Sequence, residues 1–160
     1  MLTTAERQAM IDTIRRFPAE FEALVSGLSD TDLHTHFLAD EWTVAQNVHH
    51  VPESHMNAFI RLKLALTEDQ PTIRPYDQDK WAVLPDYDLP FESSFSLLRG
   101  LHERWCVLWE SLDEADWART WVHPEMEPPV QTVEGLLKMY ADHCEAHIDQ
   151  VQRTLAARKS

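Results

Sequence analysis

The sequence predicts an all-α protein, a four-helix bundle, and three observations carry that prediction. Only 3 of its 160 residues are glycine, too few for the many tight turns of an all-β fold. Apolar residues recur every three or four positions through four long segments. Proline gathers in two stretches between those segments, where neither helix nor strand is favoured. The length suits one domain, taken as residues 1–160.

The first segment is expected from about Thr4 to Leu28, with Thr3 or Thr4 as cap and Glu6 in its first turn. Pro18 lies inside it and predicts a kink or break. The second, about Thr43 to Leu66, carries Val44, Val48, Val51, Phe59, Leu62 and Leu66 at helical spacing, with Pro52 as a further interruption. The third, about Glu92 to Leu112, shows Phe95, Leu98, Leu101, Trp105, Leu108 and Leu112 on one stripe. The fourth, about Thr132 to Ala157, starts at a threonine suited to capping, and Arg153, Arg158 and Lys159 suit its C-terminal dipole. The connections Thr67–Pro90 and His123–Val130 are expected to be irregular, and loops this long in a compact domain commonly cover a functional region.

Composition removes several functions. Lys plus Arg number 14 and Asp plus Glu 27, a formal charge of −13, which repels a nucleic-acid backbone. No Gly-rich phosphate loop and no GxSxG nucleophile elbow occur. No apolar run approaches a membrane span, and the N-terminus has no signal-peptide core, so a cytoplasmic protein with no membrane partner is expected. Cys106 and Cys144 make no disulfide framework; Cys144 reads as a small core residue.

Nine histidines are the unusual feature. His143 and His147 are one helical turn apart, and the series 136, 140, 143, 147, 151 sets both on or beside the inward stripe. Two imidazoles so placed can hold one divalent ion, or can be buried, hydrogen-bonded histidines. A third ligand could be His49, His50 or His55. Periodicity does not choose: His55 falls at the centre of the Val44/Val51/Leu62 stripe, whereas His50 falls with Asn47, Ser54, Asn57 and Arg61, a polar stripe that is either solvated or lines a wet cleft. His34 and His36 read as exposed, His102 as lying on a helix boundary, and His123 as a loop residue. Cys144, Glu145 and Glu53 are the other reactive side chains near these positions.

The stretch Trp42-Thr-Val-Ala-Gln-Asn-Val-His-His-Val, the run from Ser54 through Asp69, the Pro71–Asp77 segment with Trp81, and the closing Tyr140-x-x-His143-x-x-x-His147 resemble the DinB superfamily, and within it the YfiT-like branch of metal-dependent hydrolases and bacillithiol S-transferases. The resemblance implies up-down-down-up topology, a homodimer, and one divalent metal, nickel or zinc, held by three histidines. It places the ligand of the second helix eight residues after the tryptophan of Trp-Thr-Val, at His50, and the other two at His143 and His147. It also favours a cleft along the polar stripe, where Asn57 and Arg61 would meet substrate. The implied reaction is transfer of a small-molecule thiol of bacillithiol type to an electrophile through a metal-bound thiolate. Hydrolysis through metal-bound hydroxide, with Glu145 or Glu53 as base, is the alternative, and a metal-stabilised bundle that only binds a small ligand is a third. Around the last two ligands this chain has Asp142, Glu145 and Asp149, more acidic than the related pattern.

Overall fold

Three of the four long helices start where a side chain satisfies free N–H groups. In the computed structural model, which describes residues 1–158, helix α1 spans Thr4–Val25. Thr3 Oγ1 accepts from the Glu6 N–H at 3.2 Å, and the Glu6 carboxylate accepts from the Thr3 N–H at 2.7 Å, a reciprocal cap. The helix ends three residues before the predicted Leu28, because Gly27 adopts φ +74°, where glycine escapes the steric penalty of a side chain. A short helix α2, Asp30–His34, follows. Helix α3, Val44–Thr67, repeats the reciprocal cap with Thr43 and Gln46. Helix α4 is Gln78–Trp81, and a 3-10 turn covers Pro85–Asp88. Helix α5 is Glu92–Glu110 and α6 is Glu114–Trp117. Strands β1, Thr120–Val122, and β2, Val130–Thr132, pair antiparallel. Helix α7, Val133–Ala157, is capped by Thr132 Oγ1, which accepts from the Gly135 N–H at 2.9 Å.

One expectation is narrowed and one needs correction. Both prolines lie inside continuous helices, Pro18 within α1 and Pro52 within α3, so neither position is a break. The connection after α3 is also more regular than its prolines suggested. It contains α4, the 3-10 turn and a parallel bridge from Thr72 to Val122. The second proline-rich stretch is the loop of the β1–β2 hairpin.

Residue pairs between helices give the direction of each. Glu22 meets Arg99, and the Cys106 thiol reaches the Ile11 carbonyl, so α1 and α5 are antiparallel. Asn47 meets His147 and Ser54 meets Tyr140, so α3 and α7 are antiparallel. His49 meets Ser94 and His55 meets His102, so α3 and α5 are parallel. Arg7 meets Glu134 near the starts of α1 and α7, and Arg158 just past α7 reaches Asp32 just past α1. The bundle is therefore up-down-down-up. A parallel α3–α5 pair obliges the chain to return along a full helix before α5 can start, which accounts for the length of the 68–91 connection. Phe17, Phe21, Leu62, Leu98, Trp105 and Leu136 fill the centre and are at most 1% exposed. No helix among the described residues is long and apolar enough to cross a membrane.

Candidate metal centre

The polar stripe on α3 is not a solvated face. Asn47, His50, Ser54 and Arg61 are all buried, and Asn57 is half-buried. Opposite this stripe, α7 presents His143 and His147. One ring nitrogen from each of His50, His143 and His147 lies within 4.8 Å of the others. The three rings border an open cleft of about 600 Å³ whose wall includes Trp42 and whose exposed edge carries Asp40, Asp79 and Asp149. Arg153 also lines the cleft but already binds Glu41 and Asp149, at 2.7 and 2.8 Å. No carboxylate or thiol joins the three imidazoles among the described residues.

The other two candidates on α3 point elsewhere. His49 turns toward α5, where its Nδ1 lies 2.9 Å from Ser94 Oγ. His55 is fully buried in the core, as its position on the apolar stripe predicts. His102 corrects the boundary reading: it is 2% exposed. His34 and His36 are exposed, and Cys144 is a buried core thiol.

Neighbours orient the rings. His147 Nδ1 lies 2.7 Å from Asn47 Oδ1, while Asn47 Nδ2 donates to the Thr43 carbonyl at 2.9 Å. With its amide nitrogen engaged, Asn47 offers its oxygen, so His147 Nδ1 is the donor and Nε2 keeps its lone pair. His143 Nδ1 is occupied by His55 Nε2 at 3.0 Å. The Nε2 atoms of His143 and His147 face each other at 3.2 Å. Two nitrogens about 2.0–2.1 Å from one ion at a tetrahedral angle would be about 3.3 Å apart. His50 makes no hydrogen bond among the described residues, and its Nδ1 is buried without a partner. Two facing imidazole nitrogens with a third, from His50, within 4.8 Å of them fit a cation in the middle. Asn47 was legible only as one member of the stripe; its place three residues before His50, on the same face, was the available signal.

Burial keeps this cluster neutral. It pulls His50 down to about 3, with the positive form of His147 a lesser cause, and His147 to about 4. His143 lies well below the ordinary range, again by burial first and by His147 and His50 second. Neutral imidazole is the form that binds metal. Neither carboxylate considered as a base lines the cleft: Glu145 is exposed on α7, and Glu53 lies on another surface, accepting from the Tyr87 hydroxyl at 2.6 Å.

A helical bundle with three converging, neutral imidazoles defines a metal-binding class of protein. The chain belongs to the DinB superfamily, whose sequence model matches residues 13–151. It is 48% identical over 115 residues to a protein of Oceanobacillus iheyensis named "Putative metal-dependent hydrolase OB0782", covering 72% of this chain and 67% of that one. It is 42% identical over 153 residues to a Bacillus cereus protein whose name is likewise that of a metal-dependent hydrolase, covering 92% of this chain and 88% of that one. Its structure matches YfiT from Bacillus subtilis, described as "a probable metal-dependent hydrolase with an unusual four-helix bundle topology", with a TM-score of 0.91 and 34% identity over 96% of this chain and 88% of that one.

Proposed function

We propose that this chain is a metal-dependent enzyme in which His50, His143 and His147 hold one divalent ion, nickel or zinc, and which transfers a small-molecule thiol to an electrophile. The observation that carries the reading is the convergence of three uncharged nitrogen donors, with no carboxylate among them, at the wall of an open cleft. Such a donor set leaves the ion's charge uncompensated, so a bound ion would supply Lewis acidity that favours an anion, a thiolate or hydroxide. Both metals accept imidazole. Asn47 and His55 orient the rings, Trp42 packs edge-on against His50 at 4.5 Å, and the cleft admits the reactants.

The two carboxylates weighed as a hydrolytic base, Glu53 and Glu145, do not border the cleft, and Asp40, Asp79 and Asp149 sit at its exposed edge rather than among the imidazoles, which favours thiol transfer over hydrolysis. Arg61 and Asn57, the expected substrate contacts, do not line this cleft; Arg61 is 8% exposed and forms no hydrogen bond or ion pair among the described residues, and it remains the charge proposed for the acidic groups of a bacillithiol-type thiol. Asn57, whose amide donates to the Glu53 carbonyl at 2.9 Å, is the second expected contact. Hydrolysis is the second reading, and the names of the relatives favour it. A homodimer in the cytoplasm, without nucleic-acid or membrane partners, completes the proposal.

The test runs metal-loaded protein beside its His147→Ala variant, with monochlorobimane and ester substrates, with and without bacillithiol, glutathione or cysteine. Thiol and bimane should be consumed together, fastest with bacillithiol, and only by the metal-loaded wild type. Thiol-independent ester turnover that is lost in the variant would replace this reading with hydrolysis. No turnover at full metal occupancy would leave a binding protein.

A further inference from the structure

His55 and His102 are buried in the middle of the bundle, away from the cleft. An unbroken line of hydrogen bonds runs through them from α1 to the metal centre. His102 Nδ1 lies 2.6 Å from the Ile14 carbonyl, His102 Nε2 lies 2.7 Å from His55 Nδ1, and His55 Nε2 lies 3.0 Å from His143 Nδ1. A carbonyl oxygen only accepts, so His102 Nδ1 carries a proton. A neutral imidazole carries one N–H, so His102 Nε2 is an acceptor and His55 Nδ1 must donate to it. His55 Nε2 is then an acceptor, and His143 Nδ1 must donate to it. The direction of the first bond fixes every later one, and His143 Nε2 ends with its lone pair facing the Nε2 of His147. The His55 and His102 rings are at most 2% exposed and none of their hydrogen-bond partners is an acidic side chain, which favours the neutral form along the line.

The starting carbonyl is available for a covalent reason. In an α-helix the carbonyl of Ile14 would accept from the N–H of residue 18, and residue 18 is proline, which has none. Pro18 leaves that carbonyl without its helical donor, and His102 from α5 provides one. The proline that the sequence marked as a break is the origin of the line.

We propose that Pro18, His102 and His55 are positioning residues that lock His143 in its Nδ1–H tautomer, so that its Nε2 is ready to ligate. This inference rests on the metal-site reading above. Without the line, part of the His143 population would carry its proton on Nε2, where the ion must bind, and the ring would be free to turn.

Long-range proton–nitrogen correlation NMR on the metal-free wild-type protein at neutral pH tests the lock without any metal. His102, His55 and His143 should each show a protonated Nδ1 and a bare Nε2. A protonated Nε2 on His143, or averaged tautomers, would overturn the proposal. Bare Nε2 atoms in a protein that then binds no zinc would instead overturn the metal reading and leave the lock standing. The second arm measures zinc affinity by competition with a chelating indicator. His102→Phe keeps the packing against Phe17 and Trp105 but removes the acceptor for His55; affinity should fall about 10- to 100-fold. His102→Gln restores an acceptor and should stay close to wild type. Equal affinity in both variants and wild type, or equal loss in both, would show that His102 only packs. If His102→Phe does not fold, the wild-type tautomers still decide.

Discussion

Two buried polar clusters sit in this bundle, and they are built on opposite principles. At one end Arg7, 5% exposed, forks between Glu114 and Glu134, at 2.6 and 2.9 Å, with its guanidinium 4.8 Å from the Trp117 ring centre. Charge there meets opposite charge, and the cluster ties α1, α6 and α7 together. At the back of the cleft three imidazoles gather with no carboxylate among them, and the Nε2 atoms of His143 and His147 face each other. The first cluster is complete without any ligand, whereas the second leaves His50 Nδ1 without a partner and sets two imidazole nitrogens against each other. The difference teaches how to separate a structural polar cluster from a site: by the balance of charge and of donors against acceptors, not by the burial of the central group, since Arg7 and His50 are both buried.

Acid should break the symmetry most strongly. His50, His102 and His147 are neutral in the folded protein, with values of about 3, 4 and 4, and would take protons near 6.5 when unfolded. Between those values the unfolded chain binds more protons, so stability is present above about pH 6.5 and is lost as pH falls toward 4. Each such group contributes up to about 1.4 kcal/mol per pH unit. Chemical denaturation of the metal-free protein from pH 7 to 4 should show a loss of several kcal/mol. Next in size is metal removal. An ion at about 1,000 times its dissociation constant adds about 4 kcal/mol, so chelation should lower the melting temperature of a protein that nevertheless stays helical by circular dichroism.

Arg7→Ala sharpens the contrast from the other side. It strands Glu134 in a half-buried position and should cost about 2–3 kcal/mol, less than a fully buried pair because Glu114 is exposed. Zinc affinity of the folded variant should not change. The smallest effect is expected at the cysteines. Burial raises the Cys106 thiol to about 11 and the Cys144 thiol well above its ordinary range, so neither should react with iodoacetamide in the native protein, and both should react after unfolding. Mass spectrometry of the alkylated chain reads this directly.

The helices were legible because their apolar spacing and caps are local properties; Thr3, Thr43 and Thr132 start three of them. The β1–β2 hairpin and α2 were not, because three to five residues carry too little periodicity. His143 and His147 could be paired from their spacing on one helix. His49, His50 and His55 could not be separated that way, since these positions, within about two turns of α3, face three different environments: α5, the cleft and the core. The role of His102 was hidden for the same reason. Its partners are the Ile14 carbonyl and His55, 88 and 47 residues away in the chain, and no local pattern reports them.

The central claim is that His50 completes a metal site with His143 and His147, and metal stoichiometry tests it most directly. Wild-type protein and the His49→Ala, His50→Ala and His55→Ala variants would be stripped with chelator, reloaded with zinc or nickel, desalted and analysed for metal per chain. The account predicts about one ion per chain in wild type and in His49→Ala, a weakened but measurable load in His55→Ala, and little in His50→Ala. Full occupancy in folded His50→Ala would contradict it.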